Sequence, residues 1–187
     1  MTIKLVLLIS GKAGVGKDFI SDKIIEYSKN VNPEIKILKI AYADLLKFYL
    51  LKYFNWDGQK NLEGRKLLQH IGTDVIRKKY KNYWVKHVYR TIKALDNFFD
   101  MAIVTDCRFY NEINFWKDKN IPIITLRIDG QSTLLDSELK SHSSETELDN
   151  YNFDIYYYNH KNNNLILKEF LYDLYFNYIS KFLLTKN

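Results

Sequence analysis

Three scarcities set the first limits on this chain of 187 residues. It has one cysteine, Cys107, so no intrachain disulfide can form and an oxidising compartment is not suggested. Its 2 prolines and 7 glycines are too few for long linkers, which leaves one compact unit as the simplest organisation. Apolar runs are short as well, and none reaches the roughly 20 residues of a membrane span. The run Leu5-Val6-Leu7-Leu8-Ile9 lacks a small-residue cleavage site and leads at once into Gly11 to Asp18. It reads as a buried strand of a cytoplasmic protein, not as a secretion signal. Metal-ligand spacing is also missing: His70 and His87 are isolated, and no His or Cys pair is suitably spaced.

What is present is ordinary for a globular protein, with 47% hydrophobic and 27% charged residues. The formal net charge of +6 suits an anionic ligand. Nucleotides and nucleic acid would both satisfy it.

Strand-like and helix-like segments alternate along the chain. Ile3 to Ile9, Ile35 to Ile40, Met101 to Thr105, Ile121 to Ile128 and Phe153 to Tyr158 read as strands. Helices are expected over Gly16–Lys29, Ala43–Phe54, Gly64–Tyr80, Trp84–Phe98, Asn111–Asp118 and Leu165–Leu184. The polar stretch Gly130 to Asn150 has the composition of a mobile surface segment. This alternation predicts an α/β fold, a parallel sheet of about five strands with helices on both faces.

Gly11-Lys12-Ala13-Gly14-Val15-Gly16-Lys17 fits G-x-x-x-x-G-K between an apolar strand and an amphipathic helix. Glycines let the backbone turn so that successive N–H groups face phosphate oxygens, and the helix N-terminus adds partial positive charge. Lys17 reaches the β- and γ-phosphates. The residue after that lysine is usually Ser or Thr, whose hydroxyl meets Mg²⁺; here it is Asp18. A carboxylate at this position can serve Mg²⁺ or cap the helix, and both readings stand.

Three further segments follow in order: Ala41-Tyr42-Ala43-Asp44-Leu45-Leu46-Lys47, Gly64 to Arg77 (GRKLLQHIGTDVIR), and Asp106-Cys107-Arg108-Phe109-Tyr110-Asn111-Glu112. Together with the G-K-x-x-x-G-K-D loop, they resemble the bacteriophage-type deoxynucleoside monophosphate kinases. Leu45 and Tyr110 stand where that pattern has proline. The resemblance implies a P-loop kinase fold with a helical monophosphate-binding insert near residues 43–98 and a lid near 129–150. It also implies ATP and Mg²⁺ as cofactors and a nucleoside monophosphate as acceptor. Animal phosphomevalonate kinases have a similar loop, so another phosphorylated metabolite is the alternative acceptor. A nucleotide-dependent nucleic-acid-binding NTPase is a third reading, opposed by the lack of a basic cluster interleaved with aromatics.

Arg65, Gln69, Thr73 and Arg77 recur every four residues and would form a slowly drifting stripe on a helix. Spacing alone leaves a solvated polar face equally open. The resemblance favours phosphate and base recognition. Gly72 would weaken the helix there. Asp44 and Lys47 follow the second strand at the sheet edge where α/β proteins bind ligands, and they are assigned to the acceptor site. Asp106 ends a buried strand opposite the loop, where it would hold Mg²⁺ or cap the following helix. Arg108 would neutralise phosphate, with Glu112 orienting it, and Arg127 is the nearest cation to the lid. His142-Ser143-Ser144-Glu145 resembles a lid element of the family. Ser144 and Glu147 also have capping-box spacing, and this second reading is preferred. The aromatic stretch Phe170 to Leu184 packs either internally or in a homodimer.

Overall fold

The computed structural model describes residues 3–132, 136–161 and 163–183. Thr2, Asn162, Leu184 and residues 133–135 of the polar stretch therefore lie outside the described residues.

Five strands form one parallel sheet in the order β2-β3-β1-β4-β5, with β1 (Leu5–Ser10), β2 (Ile37–Ile40), β3 (Met101–Cys107), β4 (Ile123–Asp129) and β5 (Ile155–Tyr158). β1 lies at the centre, with Leu5 opposite Met101 on one side and Val6 opposite Ile123 on the other. All six of its residues are buried, as the unbroken apolar run requires of a strand covered on both faces.

Alternate residues of β1 feed two cores, because successive side chains point to opposite faces. Leu5, Leu7 and Ile9 pack with Ile20 and Ile24 of α1 (Lys17–Val31) and with Leu167 and Leu171 of α8 (Asn164–Asp173). Val6 and Leu8 pack against α2 (Ala43–Tyr53), α4 (Tyr83–Ala94) and α5 (Tyr110–Asp118), which present Leu50, Trp84, Ile92 and Trp116. The result is a three-layer α/β/α fold of the P-loop type, as the alternation of elements implied. Between α2 and α4 lie α3 (Leu62–Gln69) and a π-helical segment, His70–Arg77.

Some expectations need correction. β5 is an edge strand with alternating exposure: Ile155 and Tyr157 are buried while Tyr156 and Tyr158 face solvent. The closing helix is not uniform, since α8 passes through a π-helical segment (Leu174–Ile179) into α9 (Ser180–Leu183). α4 stops at Ala94, short of Phe98. The stretch read as mobile surface contains α6 (Ser137–Ser141) and α7 (Ser143–Thr146), anchored by buried Leu139, Glu145 and Leu148.

Candidate active site

The loop from Gly11 to Lys17 turns between β1 and α1 on backbone that side chains rarely adopt. Gly16 caps α1 at φ 98°, and a Cβ there would lie 2.4 Å from the Asn159 amide nitrogen. That amide donates to the Val15 carbonyl at 2.9 Å, so the end of β5 pins the loop from outside. Lys17 Nζ donates to the carbonyls of Gly11 (2.7 Å) and Lys12 (2.8 Å). An ammonium has three donors, so one is left for an anion. Burial, followed by the nearby Arg108, holds the Lys17 ammonium well below the usual lysine range. Asp18 lies in the first turn of α1, mostly exposed, with Lys39 Nζ 4.0 Å away.

A cavity of about 410 Å³ opens beside this loop. Its opposite wall is α3 and the π-helical segment, and Arg65, Gln69, Thr73 and Arg77 all line it. The π segment explains why the stripe stays together. Four residues overshoot one α turn but fall short of one wider i→i+5 turn, so the drift reverses at Gln69. Gly72 permits a close approach here: a Cβ would lie 2.6 Å from Leu46 Cδ2. Trp84 Nε1 donates to the Gly72 carbonyl at 2.9 Å and helps floor the cavity.

The carboxyl end of β3 supplies the third wall. Asp106 accepts the N–H groups of Tyr42 (2.7 Å) and Ala43 (3.0 Å), so it caps α2, 64 residues earlier, and not the helix that follows it. Burial pushes its carboxyl upward, against those two donors and Arg108. Glu112 is buried and accepts the backbone N–H of Arg108 (2.7 Å) and of Phe109 (3.1 Å). Its other oxygen pairs with Arg77 Nη2 at 2.6 Å. Glu112 thus orients the Arg77 guanidinium, which lies 3.8 Å over the Phe109 ring, and not that of Arg108.

The Arg108 guanidinium belongs instead to the segment after β4. Its Nη1 donates to Glu145 Oε1 (2.5 Å) and the Ser144 carbonyl (3.0 Å). The other oxygen of Glu145 accepts the Ala13 N–H at 2.8 Å. This segment is also tied to α3 through Lys66–Glu138 (2.7 Å) and the Gln69 amide, which donates to the Leu139 carbonyl at 3.3 Å. The cap of α7 is His142, whose Nδ1 accepts the Ser144 N–H; Glu147 accepts from the Tyr110 N–H and closes no capping box with Ser144.

Five sequence-derived residues do not line the cavity: Gly11, Lys12 and Val15 of the loop, and Arg127 and Asp44. Arg127 is buried and held by Asp129, Asp149 and Ser10. Asp44 turns back to accept the Ala41 N–H and pair with Lys47, whereas Lys47 itself lines the cavity. Six cations and four carboxylates line it in all, an excess suited to anions.

A model of the deoxynucleotide monophosphate kinase family matches residues 28–169. The chain belongs to that family. Membership makes it a nucleotide kinase, a phosphotransferase. The matched span takes in the α3 stripe, the end of β3 and Glu145, but begins after the glycine-rich loop, so the loop rests on its own sequence and geometry. No curated protein matches the chain. Among solved structures, APE1195 shares 12% identity at a TM-score of 0.46, with 94% of each chain covered. Shikimate kinase from Bacteroides thetaiotaomicron shares 10% at 0.41, covering 91% of this chain and 96% of that one. At these values neither likeness bears on function.

For a family kinase, Glu145 and Asn159 are the residues sequence reasoning passed over. The H-S-S-E spacing was a signal for the first, set aside for a helix cap. Nothing local marked the second. Among the described residues, no helix is long and apolar enough to cross a membrane and no group of three metal-ligating side chains occurs.

Proposed function

We propose that this kinase transfers the γ-phosphoryl group of ATP to a deoxynucleoside monophosphate, giving the diphosphate. The observation that carries this reading is one cavity flanked by the glycine-rich loop on one side and the Arg65–Gln69–Thr73–Arg77 stripe on the other. On this reading Gly11, Lys12, Ala13, Gly14, Val15, Gly16, Lys17 and Asp18 hold ATP. Residues 43–98 form the monophosphate-binding insert and 129–150 the lid.

The acceptor phosphate is already anionic, so no strong general base is needed. Catalysis then rests on in-line placement and charge stabilisation. Lys17 and Arg108 are the cations closest to where charge develops, and Glu112 fixes Arg77 against the acceptor. Lys47 and Arg65 add positive charge at the rim, and Gln69 and Thr73 offer hydrogen bonds to the nucleoside.

The donors fit a magnesium ion, which takes few protein ligands and completes its shell with water and phosphate oxygens. Asp18 is the freer carboxylate, exposed at the loop; Asp106 already accepts two N–H groups but faces the same cavity. When bound, the ion would supply charge neutralisation on the phosphates.

A coupled ADP-release assay with ATP-Mg²⁺ against deoxynucleotide, ribonucleotide and phosphomevalonate acceptors tests the proposal, with Lys17→Ala as control. Turnover with one or more deoxynucleoside monophosphates, lost in the variant, is expected. Turnover only with phosphomevalonate, or hydrolysis that ignores every acceptor, would overturn it.

A further inference from the structure

Glu145 is a buried carboxylate that the phosphoryl-transfer scheme above does not use. It lies in α7, 132 residues along the chain from the loop it touches. One oxygen accepts the Ala13 N–H at 2.8 Å and the other accepts Arg108 Nη1 at 2.5 Å. A backbone N–H of a glycine-rich loop and an arginine guanidinium are the two kinds of donor that recognise phosphate. A side-chain anion therefore bridges groups that a phosphoryl oxygen would bridge.

We propose that Glu145 is an intramolecular phosphate surrogate, which holds Ala13 and Arg108 and yields both when the triphosphate of ATP enters. This inference rests on reading Gly11 to Asp18 as the ATP loop. Two anions cannot share one N–H donor and one guanidinium at little cost, so ATP binding must displace the carboxylate. Displacement frees the Arg108 guanidinium in the same step, because one carboxylate holds both donors. The buried Leu139, packed on Ala13, ties the movement of residues 136–150 to the exchange. Glu145 then acts as a positioning residue: it keeps Arg108 preorganised beside the loop and gives it up only to a ligand rich in negative charge.

The test is ATP binding by calorimetry to the unmodified protein, Glu145→Gln and Glu145→Ala, together with steady-state kinetics. Removing the competing charge is expected to tighten ATP binding about fivefold to tenfold, the scale of one charge-assisted hydrogen bond exchanged. The KM for ATP should fall by more than kcat changes, because the ATP-saturated enzyme has already released Arg108 from Glu145. Unchanged or weaker ATP binding in both folded variants would overturn the proposal, since a merely structural lid contact predicts that result. If the unmodified protein binds no ATP, the ATP reading of the loop fails first and takes this inference with it. A second measurement needs no variant: the Glu145 carboxyl carbon resonance should move as ATP is titrated, and a resonance unmoved at saturation would sink the proposal even if both variants misfold.

Discussion

At the scale of single residues, Lys17 carries the sharpest consequence. Burial first, then the positive charge of Arg108, depresses its ammonium. A folded-state pKa below the unfolded one contributes stability only above the folded value, and that contribution is lost as pH falls through it. Holding a positive charge on Lys17 is therefore a cost to the fold, retained for function. Phosphate beside Lys17 favours the charged form and raises its pKa. ATP binding is thus expected to take up a proton in the window between the depressed value and the usual lysine range, and affinity should fall as pH rises through it. Calorimetry in two buffers of differing ionisation enthalpy checks this; binding without proton uptake at alkaline pH would remove Lys17 as the phosphate ligand. Lys17 was legible in the sequence because a local motif and its strand–helix setting specify it. Arg127 was not, because a position at a strand end says where the Cα lies and nothing of the carboxylates that claim the side chain. Glu145 was missed for the same reason: its partners, Ala13 and Arg108, are distant in the chain.

At the scale of elements, the π-helical segment from His70 to Arg77 shapes the cavity wall opposite the glycine-rich loop. Four-residue spacing was readable, but the switch of helix type was not, since it depends on Gly72 meeting Leu46 and Trp84 across the fold. Gly72→Ala places a methyl 2.6 Å from Leu46 Cδ2 and should destabilise the protein by about 1–3 kcal/mol through overpacking. In a Leu46→Ala background the penalty of the added methyl should shrink, because the two sites share one space. Urea denaturation of the four proteins measures the coupling, and strict additivity would refute the contact. The α2 cap teaches a related lesson. Asp106 was read as a ligand or as a cap for the next helix in sequence, yet it caps a helix 64 residues earlier because the two elements leave adjacent strands, β2 and β3.

At the scale of the molecule, the parallel sheet was legible because buried strands alternate with amphipathic helices, and four of its strands lie close to where apolar runs placed them. β5 differs in character from the central strands, because an edge position buries only one face. A fragment ending at Asp100 keeps β1 and β2 but lacks β3 and β4, the two strands that pair with β1. It should show no cooperative thermal transition by circular dichroism, and a folded fragment would contradict the central role of β1. The same arrangement has a consequence in time. The strand made first at the ribosome is finished late, because its neighbours run to Cys107 and Arg127. At ordinary rates of synthesis the delay is on the order of ten seconds. For that interval the glycine-rich loop hangs from an unpaired apolar strand, flanked by Lys4 and Lys12, whose charges oppose the self-association that such a segment invites.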